Sequence, residues 1–415
     1  MSEEKFQTVR GMRDFLPEKA QKKQFLEDLA RKTFEKYGFR PMQTPVVEDF
    51  ALLARKGSGG EAIKEEIYYF KDKSERELGL RFDLTVPLAR VVASNQQLPK
   101  QFKRYQIGRV YRYDRPGEKR YREFTQSDAD ITGVKSVFAD FELVALAIEF
   151  FSELNVDFYI RINSRKLLEA IAKENNVSQD QMKECFRSLD KLEKIGEEEV
   201  KKELEGKNIS TEIVSILKKN DFDGLSAKIR ESEGYKDVKE LFSLLEENGL
   251  AKKTKIDLSL ARGLEYYTGN VFEIECDGIS CGAGGRYDNL IESYGGTPTP
   301  AIGISFGIDR LLDVVEEKLG VENPVKFFVI PIGKTQKECI KIVQEMRRLG
   351  LNTDIDLVGR GISKNLEYAS KQGIKFAMIA GEDELNKKEL AVKNLETGEQ
   401  KTIKLDDLKE LWDLE

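Results

Sequence analysis

Apolar residues first recur at helical spacing between Pro17 and Tyr37. Leu26, Leu29, Ala30, Thr33, Phe34 and Tyr37 share one side, Pro17 stands near the start and Gly38 ends the run. This spacing predicts an amphipathic helix. Phe39 to Val47 reads as extended, and Pro41 and Pro45 restrict it to an irregular or edge strand. Further strands are expected at Tyr68–Phe70, Leu80–Asp83 and Gln106–Tyr113. A strand–loop–strand is expected across Val110–Tyr113 and Arg122–Ile131, with Arg115-Pro116-Gly117 supplying turn chemistry. Phe138 to Leu154 is apolar on most sides and predicts a buried helix.

The pattern changes after Arg165. Lys166 to Lys253 is rich in Lys and Glu, with short helical signatures such as Ile213/Ile216/Leu217 and Leu241/Leu244/Leu245, and reads as a helical insertion with a solvated surface. Strand patterns return at Lys255–Leu260 and Val271–Cys276, followed by the glycine-rich Cys281–Tyr287 and a helix from about Phe306. Past a linker at Asn323-Pro324, strand and helix alternate. Phe327–Ile332, a helix to Leu349, Thr353–Leu357, a helix near Lys364–Gln372 and Phe376–Ile379 imply a small α/β domain with a largely parallel sheet. The expected division is one domain built from 1–165 and 254–322, an insertion at 166–253, and a third part at 325–415.

A length of 415 residues agrees with two or three domains. No apolar run approaches the roughly 18 residues that span a bilayer, and MSEEKFQ lacks the order of a secretory signal. Four cysteines without a CxxC pair fit a reducing, cytoplasmic setting; Cys276 and Cys281 are expected as buried or partly buried thiols rather than metal ligands. The chain contains no histidine, which excludes a Ser-His-Asp triad, an HExxH zinc site and an imidazole proton relay. Gly333-Lys334-Thr335 resembles the end of a P-loop, but Phe328 stands where the motif needs glycine.

The net charge of −6 does not favour a polyanion partner, yet Lys100–Arg122 carries nine Lys/Arg against Asp114 and Glu118. In the second strand of this region, the two-residue period places Arg122, Phe124, Gln126, Asp128 and Asp130 on one face. Cation, aromatic, amide and carboxylate in a row make a poor core. They suit a ligand with a phosphate at one end, a flat base in the middle and a cationic or donor group at the other. Gln126 and Asp130 are about 14 Å apart along an extended strand, so a shared small ligand requires twist or a bulge.

This arrangement resembles motif 2 of the class II aminoacyl-tRNA synthetases, and the other motifs follow in order. The helix 18–37 with the strand ending at Pro45 is similar to motif 1, and Ala301-Ile-Gly-Ile-Ser-Phe-Gly-Ile-Asp-Arg310-Leu to motif 3. Ala261-Arg262-Gly263-Leu264-Glu265-Tyr266-Tyr267-Thr268-Gly269 and Gly284-Gly285-Arg286-Tyr287-Asp288 resemble two peptides peculiar to the histidyl-tRNA synthetase family. Arg81-Phe82-Asp83-Leu84-Thr85 matches the form seen in its archaeal and eukaryotic members.

The resemblance implies an α+β catalytic domain with a mixed, mostly antiparallel sheet, a helical insertion and a C-terminal α/β anticodon-binding domain. It implies a homodimer that activates L-histidine with ATP and Mg²⁺ and transfers it to tRNA(His), without a membrane partner. The catalytic arginines would be Arg112, on the ATP α-phosphate, and Arg262, which also binds the amino acid's carboxylate. Arg122, Glu123, Phe124 and Arg310 would complete the ATP site, with Phe124 on adenine and Arg310 on the γ-phosphate. Asp83, Thr85 and Gln126 would orient the α-ammonium. Asp130 and Tyr267, helped by Tyr266, would contact the imidazole, and Tyr287 would line the pocket. Arg115, Lys119 and Arg120 would reach tRNA. The alternative from another class is a catalytically silent paralogue, the regulatory subunit of ATP phosphoribosyltransferase, which should lack the Arg262–Thr268 peptide and the C-terminal domain.

Overall fold

Helix α1 (Pro17–Lys36) forms where the periodicity predicts it. Proline opens its first turn, Leu26, Ala30, Thr33 and Phe34 are buried, and Gly38 at φ +77° turns the chain out of the helix. The computed structural model describes residues 6–55, 65–113, 117, 120–261 and 266–414. Two units result, Met1–Leu319 and Gly320–Glu415.

In the first unit, α1 leads to β1 (Arg40–Pro41), β2 (Val47–Asp49), α2 (Phe50–Ala54), β3 (Tyr69–Lys71), β4 (Glu77–Leu80) and α3 (Thr85–Ser94). The long strands β5 (Phe102–Tyr111) and β6 (Glu123–Thr132) follow, then α4 (Phe138–Ser152) and β7 (Phe158–Ser164). Seven helices, from α5 (Arg165–Glu174) to α11 (Glu233–Glu247), intervene before β8 (Thr254–Ile256), β9 (Asn270–Cys276), β10 (Ile279–Arg286), α12 (Leu290–Ser293), β11 (Ala301–Gly307) and α13 (Ile308–Val315).

Eight strands make the central sheet in the order β1-β5-β6-β11-β10-β9-β7-β8, and β2-β4-β3 make a small separate one. The β1/β5 and β7/β8 pairs are parallel and the other central pairs antiparallel.

The two faces of the central sheet differ in chemistry. The back carries Tyr105, Ala129, Ile131, Phe272, Ile274, Ile302, Ile304 and Phe306, which share one core with Leu26 and Phe34 of α1 and Leu143, Phe150 and Phe151 of α4. Phe306 is its hub: its ring stacks on Phe150 at 4.7 Å and on Phe34 at 5.9 Å, and meets Phe151 edge-on at 5.3 Å. The helical segment has a separate core around Leu168, Phe186, Leu204 and Val238, which also takes in Leu258 and Ala261.

The second unit runs β12 (Phe327–Pro331), α14 (Gln336–Arg348), β13 (Thr353–Ile355), α15 (Ile362–Lys371), β14 (Phe376–Ala380), α16 (Glu382–Asn386), β15 (Glu389–Asn394) and β16 (Gln400–Lys404). Its sheet order is β13-β12-β14-β15-β16. Alternate residues of β12 serve opposite faces, Phe327 and Val329 packing with Val343 and Met346 of α14, and Phe328 and Ile330 with Ala369 of α15. No described helix is long and apolar enough to cross a membrane.

Three elements depart from expectation. The strand predicted at Leu80–Asp83 stops at Leu80, because Asp83 accepts from the backbone N–H groups of Thr85 and Val86 and starts α3 instead. Phe306 belongs to β11, and the helix begins two residues later at Ile308. The second sheet is parallel only across β13, β12 and β14; β15 and β16 continue it antiparallel.

Phe306→Ala should lower the unfolding free energy of the first unit by about 3–5 kcal/mol, because the cavity would lie between three packed rings. Urea denaturation followed by circular dichroism measures this, and a loss under about 1 kcal/mol would mean that Phe306 is not the hub.

Candidate active site

The front of the central sheet is polar and lined with small residues. On β6 it carries Phe124, Gln126, Asp128 and Asp130, and the ladders fix what stands beside each. Gln126 lies between Gly108 of β5 and Gly307 of β11, Asp128 between Gln106 and Ser305, and Asp130 between Arg104 and Gly303. Glycine at 307 and 303 leaves the space above the strand to the β6 side chains. At 303 this is a steric requirement, since a Cβ there would lie 2.0 Å from Asp130 Oδ1.

Asp130 is 2% exposed and held from two sides. Arg104 Nη2 stands 2.8 Å from its Oδ2, and the Tyr287 hydroxyl donates to its Oδ1. Arg104 is itself wholly buried, and the same Nη2 donates to the Leu84 carbonyl at 3.1 Å. That bond ties the Asp83–Thr85 segment to the acid. Burial and the charge of Asp130 together hold the Tyr287 phenol well above its ordinary pKa, so it stays a donor at neutral pH.

Tyr267 lies over Gly285, where a Cβ would come within 3.0 Å of its ring. Gly285 is paired directly with Gly303, beneath Asp130. The structure therefore brings Asp130, Tyr267 and Tyr287 over adjoining glycines of neighbouring strands, about 5 Å apart. Tyr266 completes the wall, its ring 4.3 Å from Tyr267 and 6.4 Å from Tyr287, and burial pushes its phenol up as well.

Further along β6, Gln126 Nε2 donates to Ser305 Oγ at 2.9 Å, and the Ser305 hydroxyl favours the ionised form of Asp128, its neighbour across the ladder. Asp83 is 6% exposed, caps α3 and acts electrostatically on both Asp128 and Tyr266. Thr85, the first residue of α3, is half-buried beside it.

The opposite end is cationic and aromatic. Arg112 donates from Nε to the Phe82 carbonyl at 3.1 Å, and its guanidinium is centred 5.1 Å from the Phe124 ring. Arg310 extends from α13 beside Gly307 and donates to the Ser280 carbonyl at 3.1 Å. Arg122 stacks on Tyr113 at 4.2 Å, while its backbone joins Arg112 to Gly11.

Glu123 is not with them. Alternation puts it on the opposite face of β6, where it pairs with Arg109 at 3.2 Å and interacts with Tyr111. Arg120 is exposed and bridges Gly117. Arg115, Lys119 and Arg262 lie outside the described residues.

The arrangement is a trough with a guanidinium-and-ring end for a nucleotide and a carboxylate-and-phenol end for a small donor group. Two of its parts escape sequence reasoning. Arg104 sits in a run of nine basic residues whose other members include Arg109, exposed and paired to Glu123. Only the ladder register, which sets Arg104 opposite Asp130, distinguishes it. Ser305 is an unremarkable serine until β11 is placed beside β6.

Residues 11–311 match the model of the histidyl-tRNA synthetase family, and residues 326–412 that of an anticodon binding domain. Histidine–tRNA ligase 1 of Bacillus cereus is 36% identical over 96% of this chain and 98% of its own length. The histidine–tRNA ligase of Methanococcus maripaludis is 37% identical over 97% and 99%. The crystal structure of a histidyl-tRNA synthetase from a Nostoc species superimposes with a TM-score of 0.85 at 33% identity, covering all of both chains.

Arg104→Met should cost about 3–5 kcal/mol of stability by stranding Asp130 without its counter-charge, and Arg104→Met with Asp130→Leu should recover most of that loss. Equal stability of the single and double variants in urea titrations would show that the two groups do not act as a pair.

Proposed function

The chain belongs to the histidyl-tRNA synthetase family, and on that footing we propose that it activates L-histidine with ATP and transfers it to the 3′ end of tRNA(His). The observation that supports this most is the joint placement of Asp130, Tyr287 and Tyr267 over the Gly285–Gly303 pair, at the end of a trough headed by Arg112 and Phe124.

Neutral imidazole offers one donor and one acceptor nitrogen. Asp130 would accept from the first and a tyrosine hydroxyl would donate to the second. A site built on buried hydrogen bonds rejects analogues that lack them by about 10⁴–10⁵. At the other end, Phe124 would stack on adenine, Arg112 would hold the α-phosphate and Arg310 the γ-phosphate, tasks that suit planar guanidinium forks. Gln126, Asp83 and Thr85 would orient the α-ammonium, and Tyr266 would support Tyr267. Arg262 would bind the substrate carboxylate and offset charge growing on the α-phosphate.

The histidine carboxylate would then attack the α-phosphorus in line, forming histidyl-adenylate and releasing pyrophosphate. The nucleophile is already anionic, so no general base is needed; catalysis is positioning plus electrostatic stabilisation. Among the described residues no three Asp, Glu, Cys or His side chains converge as a metal cage. Mg²⁺ would ride on the phosphate oxygens of ATP, neutralising their charge.

The second unit would take the distal tRNA contact, and Arg115, Lys119 and Arg120 the acceptor end. Helix α1 and the segment leading into β2, which resemble motif 1, would form the interface of a homodimer. A cytoplasmic location accords with this reading.

Amino-acid-dependent ATP–pyrophosphate exchange tests the proposal. Exchange with histidine alone is the expected result; none at all would favour the silent regulatory paralogue. In the same assay Asp130→Ala should raise the KM for histidine about 10–100-fold while moving that for ATP under about threefold. Equal effects on the two would remove Asp130 from the imidazole subsite.

A further inference from the structure

Between Gln126 and Asp130 on the front of β6 stands Asp128, which the roles above leave unexplained. It is 2% exposed, with Gln106 beside it on β5 and Ser305 on β11. The Ser305 hydroxyl favours the ionised form of the Asp128 carboxyl group. Among the described residues its Oδ1 has no hydrogen-bond partner, and neither has Oε1 of Gln126. Two buried acceptors at successive positions of one strand face are costly to leave without donors. The donor they lack is one that a ligand can bring.

We propose that Asp128 is a further binding residue for the α-ammonium of the substrate. The inference rests on the amino-acid-activating reading given above.

Spacing supports it. Asp128 lies midway between Gln126 and Asp130, about 7 Å from each along the strand, within reach of a substrate that extends from one to the other. The order along the trough agrees. A substrate whose carboxylate faces the arginine end and whose ring faces Asp130 presents its ammonium over the middle position.

The surrounding charges account for the protonation. Asp130 acts on Asp128 from its own strand, Arg104 from β5, Asp83 from the start of α3, and Arg81 and Tyr266 from the segments that close over the sheet. Arg104, the cation among these that faces the carboxylates directly, is already engaged by Asp130. Burial first, and the charge of Asp130 second, push the Asp128 carboxyl up to about 7. A cation seated against it lowers that value again, so binding expels a proton and tightens as pH rises. At pH 8 the group is already ionised; at pH 6 the proton must leave first, which weakens binding about tenfold through this group alone.

The test is titration calorimetry of histidine against the full chain at pH 6, 7 and 8, in buffers of differing ionisation enthalpy. The wild-type Kd should weaken toward pH 6 about tenfold more than that of Asp128→Asn, with about half a proton more released at pH 7. Titration of the ligand's own imidazole is common to both proteins and cancels. Ser305→Ala, which removes the neighbouring hydroxyl that favours the ionised carboxyl, should move the midpoint of the wild-type pH dependence upward; it supplies the readout should Asp128→Asn fail to fold. Matching pH profiles and proton counts in wild type and Asp128→Asn, or an unmoved midpoint in Ser305→Ala, would overturn the role of Asp128. A wild-type protein that does not bind histidine at all would overturn the proposed function instead.

Discussion

The front of the central sheet depends on what is buried behind it. Strand β6 serves two masters through its two-residue period: Ala129 and Ile131 join the aromatic core, while Gln126, Asp128 and Asp130 face the trough. A slip of one residue would exchange these sets, placing carboxylates against Phe306 and methyl groups in the ligand site. Packing of Phe306 among Phe34, Phe150 and Phe151 opposes such a slip, because β11 and β6 share one register. The apolar side also offsets the cost of desolvating the polar side. Arg104, Asp128 and Asp130 can be held out of water only on a sheet whose reverse buries a large core.

Much of this was legible in the chain, and the failures have physical causes. Helix α1 and strand β6 carry strong periodicity and stand where it puts them. Leu80–Asp83 looks like a strand because Leu80 and Phe82 alternate with polar neighbours, but an aspartate with two backbone N–H groups within reach caps a helix instead. Glu123 follows Arg122 and precedes Phe124, and adjacency on a strand means opposite faces, so it pairs with Arg109 away from the trough. β15 and β16 are short, charged outer strands of an otherwise buried sheet, and Gln400–Lys404, with three exposed polar residues before Ile403, offers little apolar signal. The burial of Arg104 could not be read at all, since it depends on pairing across two strands more than twenty residues apart.

The two thiols at Cys276 and Cys281 are buried on a hairpin. The hydrogen bond with Cys281 first, and burial second, push Cys276 away from the thiolate, which is the state that nucleophilic or metal-binding chemistry would need.

Charge placement also separates the duties of two carboxylates only two residues apart. A buried, unpaired carboxylate attracts any cation, including the side chains of amino acids that a histidine site must reject. Arg104 cancels the charge of Asp130 and Tyr287 fixes its orientation, so the ring end of the trough is electrically balanced yet keeps a directed acceptor. A neutral N–H can use that acceptor, whereas an ammonium entering there would meet the field of a guanidinium. Among the described residues Asp128 has no such partner in direct contact, so on the reading proposed above it is the place where a positive charge is wanted. One arginine, seated beside one of two acids, would thus set which end of the substrate goes where, before any contact with the nucleotide.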